Sequence, residues 1–171
     1  MNRFRIPYFL AIGALVAIVI IGCTGGSDDP IVLDADSRVA EVFISLGEPE
    51  IDGDEIEYPV ILEGVKDIKA MSFRIGFDPD GMEPVGYRWS HMVRNDDATF
   101  CLMNRHDFVP FSFARMSKMS GLNTDGEFCR LRFRIRNHER IRAWLVDDPG
   151  YLVVKNSLNQ RLRMRVRGEG R

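Results

Sequence analysis

The sequence predicts an all-β fold, a sandwich or barrel of short strands. Three observations carry this. In Ala70–Tyr87, the residues Phe73, Ile75 and Phe77 are apolar at every second position, with Ser72, Arg74 and Gly76 between them. That is the period of a half-buried strand. Asp78-Pro79-Asp80-Gly81 then breaks it with turn chemistry, and a second extended piece follows through Val85 and Tyr87. The segment Phe128–Arg136 repeats the pattern, with Cys129, Leu131, Phe133 and Ile135 facing in and four arginines facing out. Finally, nothing between Thr24 and Arg171 sustains a 3.6-residue period.

The remaining elements follow in order. Val39–Leu46 alternates Ala40, Val42, Ile44 and Leu46 against Glu41, Phe43 and Ser45, and reads as a strand. Gly47–Asp54 is rich in Gly, Pro and Asp and reads as a turn. Glu55–Glu63 alternates again, with Ile56, Tyr58, Val60 and Leu62 inward; Pro59 marks an edge or a bulge. Trp89–Ala98 has no period and reads as a loop. Strands are expected over Thr99–Met103, Phe108–Ala114, Ile141–Val146, Tyr151–Lys155 and Arg161–Arg167. Loops or turns separate them at Asn104–Asp107, Arg115–Glu127, Asp147–Gly150 and Asn156–Gln160.

The chain of 171 residues opens with a different kind of segment. Arg3 and Arg5 precede the uncharged apolar run Ile6–Gly22, which describes an export signal. Gly22-Cys23 resembles the lipobox of bacterial lipoproteins, in which the Cys becomes the lipidated first residue; Ile21 departs from the small residue usual there. The other reading is an uncleaved anchor of about 17 residues, the lower limit for crossing a bilayer. Either reading places the domain outside the cytoplasm and holds it to the cell membrane or an outer membrane. Residues 24–36 form a short Gly, Ser, Asp and Pro-containing tether, and residues 37–168 form one domain with room for a core. The formal net charge is −2, and loss of Arg3 and Arg5 makes the mature chain more acidic. Nothing in this balance points to nucleic acid. With Cys23 lipidated, Cys101 and Cys129 remain, either as a disulfide or with Cys129 a buried thiol.

Chemistry-bearing clusters are sparse. His91, His106 and His138 lack zinc-ligand spacing, and Asp52, Asp54, Asp78 and Asp80 lack the spaced oxygen run of a calcium loop. His106 beside Asp107 has no nucleophile elbow with it. No cofactor, metal or catalytic residue is expected. The arginine rows Arg130–Arg136 and Arg161–Arg167 invite a polyanion, but Glu41, Glu55, Glu57 and Glu63 also face outward. Four like charges on one strand face repel, so a charge-banded face neutralised across strands is preferred to a polyanion site. Trp89, Trp144, Tyr87 and Tyr151 are candidates for stacking on sugar rings, weighed against core positions.

The order of signals resembles the cohesin domain. The residues that carry the resemblance are Glu55–Gly64 with Pro59-Val60, Phe73–Phe77 with Asp78-Pro79, and Met82–Val85. Phe111-Ser112-Phe113-Ala114 and Asp125-Gly126 leading into the strand to Ile135 complete it. It covers roughly Val39 to Gly168, and the ordered series rather than any one motif is its content. The resemblance implies an antiparallel jelly-roll sandwich of about nine strands, related to carbohydrate-binding modules. It implies a non-catalytic module that binds dockerin-bearing proteins and so serves polysaccharide degradation, often at the cell surface. One sheet would be ordered eighth, third, sixth, fifth strand, the other ninth, first, second, seventh, fourth. The latter order implies that the arginine strands flank the glutamate strands, with Arg130, Arg132 and Arg134 against Glu55, Glu57 and Glu63. The outer face of the first sheet would meet the partner through Ala70, Ser72 and Arg74, Cys101 and Met103, and Ser112 with Arg115. Cohesins place acidic or amide residues where Ser72 and Arg115 align, so a partner with basic contacts finds fewer acceptors here. A lipid-anchored carbohydrate-binding module is the alternative.

Overall fold

The computed structural model describes residues 41–103, 106–116 and 121–168. The export signal, Cys23, the tether, Val39, Ala40 and the Asn104-Arg105 half of one expected turn lie outside them.

Eleven strands are present among the described residues: β1 (Glu41–Leu46), β2 (Glu50–Asp52), β3 (Glu55–Glu63), β4 (Ile68–Phe77), β5 (Met82–Trp89), β6 (Ala98–Cys101), β7 (Phe108–Ala114), β8 (Gly126–Ile135), β9 (Ala143–Leu145), β10 (Val153–Asn156) and β11 (Arg161–Val166). A single turn of 3₁₀ helix, His138–Arg140, lies between β8 and β9. The strands run β5-β8-β3-β1-β11 in one layer and β10-β4-β7-β6 in the other, joined through the β10–β11 pair. Leaving out β2 and β9, this is the order that the resemblance implied. The fold is a jelly-roll sandwich.

Two strands exceed the expected nine. The segment read as a turn, Gly47–Asp54, contains β2, which forms a hairpin with β3 across Asp52-Gly53-Asp54. Gly53 adopts φ +62°, the left-handed conformation that glycine takes at little cost. The other is β9, which lies within the strand read over Ile141–Val146, is extra only to the nine that the resemblance implies, and pairs with the end of β4. One pairing is not antiparallel: β1 and β11 run parallel. The first and last strands close the same sheet side by side, and the whole intervening chain is the crossover that a parallel pair needs. Trp89, read as the start of a loop, instead ends β5 opposite Cys129 and packs against the core.

The core follows the alternation. Ile56, Tyr58, Val60 and Leu62 of β3 are buried, as are Phe73, Ile75 and Phe77 of β4 and Leu131, Phe133 and Ile135 of β8. Phe128 and Cys129 are both buried although adjacent, because the β3–β8 register shifts between Val60 and Ile61. Aromatic rings join the two layers. Phe73 stacks on Phe111 at 5.1 Å between centroids, Phe128 meets Phe73 and Phe113 edge-on, and Phe77 meets Phe133 at 5.2 Å. Such pairs add roughly 0.5–1.5 kcal/mol each to the gain from burial. Cys101 and Cys129 are free thiols.

Connections are pinned by side chains. The turn after β4 is held by Arg140, whose guanidinium reaches Asp78 at 2.9 Å and Asp80 at 2.5 Å. The link from β3 to β4 is held by Asp67, which accepts from Gly121 N at 2.8 Å and from the Ser157 hydroxyl and amide. These bonds fix both ends of β4 relative to its neighbours.

Candidate functional site

The outer face of the β10-β4-β7-β6 layer is built from residues that alternate with the core. On β4 the outward residues are Ala70, Ser72 and Arg74, all half-buried. On β7 they are Pro110, Ser112 and Ala114, and on β10 Val153 and Lys155. The register aligns them into rows. Val153, Ser72, Ser112 and Phe100 run straight across the four strands, and Lys155, Ala70, Ala114 and Ala98 form the next row. Small side chains in both rows leave a level surface, from which Phe100, 53% exposed, projects at the β6 edge.

One end of this face is aromatic and cationic. The Arg74 guanidinium carbon lies 4.5 Å from the Phe108 ring centroid and 3.2 Å from that of Tyr151, so the cation sits over both rings. Tyr151 is placed by a tight turn in which Asp148 accepts from the amides of Gly150, Tyr151 and Leu152. Beyond Arg74, Gly76 has no side chain because the Trp144 indole lies over it; a Cβ there would be 2.4 Å from that ring. Arg142 in turn approaches the Trp144 ring at 5.7 Å.

Ala70, Ser72, Arg74 and Ser112 come together on this face. Cys101, Met103 and Arg115 do not. Cys101 pairs with Phe111 and so points to the core side; Phe100 takes the outward position on β6. Met103 lies beyond the strand end, packs against the core and brings its sulfur to 3.5 Å from Cys101 Sγ. Arg115 follows the outward Ala114 and turns the other way. Its side chain is 10% exposed and makes a two-pronged bond to Asp97, at 3.1 Å from both Nε and Nη2, with a further bond to Met92 O at 2.9 Å. Burial works against the Asp97 charge, but the hydrogen bonds from Arg115 and Arg94 outweigh it and hold that carboxyl below its ordinary range. Arg115 is thus a clamp on the loop between β5 and β6.

Sequence reasoning missed Phe108, Phe100, Val153 and Lys155 on this face, and named Tyr151 only as a candidate for sugar stacking. Phe108 was readable, since it shares the period-2 set of Pro110 and Ser112. Tyr151 was not, because its place beside Arg74 depends on the pairing of β10 with β4.

The opposite outer face, over β5-β8-β3-β1-β11, is banded with charge. Arg132 meets Glu55 at 3.3 Å, and Arg130 meets Glu127, Glu50 and Glu57 at 2.9, 2.7 and 3.7 Å. Hydrogen bonds that Arg130 donates to Glu127 and Glu50 push its guanidinium above its usual range. Arg134 stands opposite Glu55 and Glu83 in the register. The partner of Glu63 is Arg167 of the last strand segment, not an arginine of β8. Glu41 takes Arg163 and Arg165. Most arginines of these rows are therefore neutralised by glutamates, with Glu63 reassigned, while Arg161 donates to the Pro149 carbonyl. The aromatic candidates do not form a flat row: Tyr87 and Trp89 meet at 75°, and Trp89 packs against the core.

Fold and face together define a class, a jelly-roll sandwich module with one level sheet face. The cohesin domain model matches residues 49–160. The chain belongs to the cohesin family. Among solved structures it is similar to the complex of CaCohA2, from Clostridium acetobutylicum, with a point variant of CaDoc0917. That match has a TM-score of 0.62, 17% identity, and coverage of 74% of this chain and 94% of that one. It is also similar to the sixth cohesin of scaffoldin B from Acetivibrio cellulolyticus in complex with a Cel5 dockerin mutant, with a TM-score of 0.60, 18% identity and coverage of 74% and 94%. A third is the Coh-OlpC–Doc435 complex from Clostridium thermocellum, with a TM-score of 0.58, 12% identity and coverage of 79% and 93%. No curated protein matches the chain.

Proposed function

We propose that this chain is a non-catalytic docking module. It holds a dockerin-type protein on the outer face of the β10-β4-β7-β6 layer, and it is tethered outside the cytoplasm through Cys23. The observation that supports the docking reading is the level face itself. Four strands about 4.8 Å apart and the five residues from Ala70 to Arg74 give a plate roughly 14 Å by 13 Å. A helix with its side chains is about 10–12 Å across and fits it. Residues of the plate are small or stacked, so a partner meets a surface that needs little ordering. Sugar binding is less well supported: the Arg74 guanidinium already lies over the rings of Phe108 and Tyr151, surfaces that a sugar ring would use.

The experiment is a calorimetric titration of purified dockerin modules into the Cys23→Ser chain and into a Ser72→Tyr, Ser112→Tyr double variant. Saturable binding that the bulky pair abolishes supports the reading. Binding that survives the bulky pair places the partner elsewhere. Retention on insoluble polysaccharide with no dockerin binding would favour the carbohydrate module. Anchoring rests on the sequence of Arg3, Arg5, Ile6–Gly22 and Cys23. Metabolic labelling with a fatty acid that is lost in Cys23→Ser tests it. Tethered this way, the module would recruit polysaccharide-degrading partners to the membrane surface.

A further inference from the structure

The docking face is cationic where its strands present charge. The outward strand residues of β4, β6, β7 and β10 named above include Arg74 and Lys155 and no carboxylate. Lys155 is engaged with Asn159 Oδ1 at 3.1 Å. Arg74 is held differently. Its guanidinium carbon lies over two rings, Phe108 and Tyr151, and none of the ion pairs among the described residues includes it. The turn carboxylate Asp148, near Tyr151 in the chain, accepts from the Gly150 amide.

A guanidinium whose flat face lies over aromatic rings keeps its N–H edge for hydrogen bonding. Those donors form a planar fork that matches a carboxylate in two parallel bonds. Stacking fixes the side chain before the partner arrives, so the rotamer cost of docking is already met. The rest of the surface suits the approach: Ser72 is the next outward residue on β4, and the row from Val153 to Phe100 lets a backbone come close.

We propose that the Arg74–Phe108–Tyr151 clip is the specificity-determining element of the docking face, and that it selects a partner helix presenting an Asp or Glu side chain. The inference names the partner chemistry of the docking reading and rests on it. A partner presenting Lys or Arg at that point meets like charge and two filled ring faces.

Two measurements test it. In the first, two sets of purified dockerin modules are titrated into the Cys23→Ser chain and its Arg74→Gln and Arg74→Glu variants. One set carries Asp or Glu, and the other Lys or Arg, on the helix face that meets the sheet. Thermal melts confirm that the variants fold. The acidic set binds the parent; Arg74→Gln weakens it about 10- to 100-fold, the worth of a charge-assisted pair. Arg74→Glu abolishes binding, and exchanging the partner's acid for Lys restores it. Unchanged affinity in Arg74→Gln, or preference for the basic set, overturns the clip and leaves the docking reading standing. Absence of binding by either set overturns the docking reading, and with it the clip as a determinant of partner choice. The second measurement is an NMR titration with N-acetylglutamate that follows the arginine Nε–Hε signals. The Arg74 signal moves at lower concentration than those of the other arginines, together with the Tyr151 ring signals. Uniform movement of all arginine signals overturns the proposal.

Discussion

Removing the Asp97 carboxylate is the sharpest test of how the β6 edge is held. In Asp97→Ala the Arg115 guanidinium, 10% exposed, loses its bonds from Nε and Nη2 and keeps only Met92 O. The Arg94 amide also loses its acceptor, Asp97 Oδ2 at 2.9 Å. The Asp97 side chain is 1% exposed, so water does not screen the pair in the native state. Breaking one side of a buried ion pair costs about 3–5 kcal/mol, because the remaining charge stays desolvated. With a urea m-value of about 2 kcal/mol/M, the midpoint falls by about 2 M. The assay is equilibrium urea unfolding by tryptophan fluorescence, run as a cycle with Arg115→Met and the double variant. The double variant recovers more than half of the loss, since neutral packing can replace a buried pair. A loss below about 1 kcal/mol for Asp97→Ala, or additive losses in the double variant, would refute the clamp. That result would return Arg115 to the list of residues free to meet a partner.

The same geometry bears on three other measurements. Gly81→Ala costs about 1–3 kcal/mol by overpacking, because its Cβ would lie 1.9 Å from Arg140 O; an unshifted thermal midpoint would contradict this. Asp97 and Asp67 both titrate below the ordinary carboxylate range, Asp67 mainly through its bond from the Ser157 side chain. A depressed folded-state pKa gives stability that is fully present above the unfolded value, about 3.9, and is lost as pH falls through the folded one. Urea midpoints are therefore expected to hold down to about pH 4 and fall below it, less steeply in Asp97→Asn; a pH-independent midpoint would be the wrong outcome. In the Cys23→Ser chain neither remaining thiol reacts quickly with a disulfide reagent at pH 8. Burial pushes Cys101 up to about 12 and Cys129 well above the ordinary thiol value. Stoichiometric labelling of the native protein within seconds would show that one of the two is open to solvent.

The aromatic core shows where sequence reading was sound. Phe73, Ile75 and Phe77 are buried because a strand sends alternate side chains to opposite faces, and that rule needs no knowledge of the partner strand. The same rule applied to β7 also puts residue 115 on the side of Phe111 and Phe113, so the inward turn of Arg115 was legible. The family's strand order then carried the arrangement of the two layers.

β6 shows where local pattern runs out. Ala98-Thr99-Phe100-Cys101 gives no clear polar phase, so the choice between Phe100 and Cys101 as the outward residue was open. Pairing with Ser112 and Phe111 decided it, because facing residues on neighbouring strands share a side. The parallel closure of β1 on β11, the Glu63–Arg167 pair and the stacking of Arg74 on Tyr151 have the same origin. Each joins residues more than seventy positions apart. Which side chains hide from water was written in the order of residues alone, since alternation is a property of a single extended strand. Which outward residues stand together was settled by the fold, since that depends on register between segments the chain brings together from far apart.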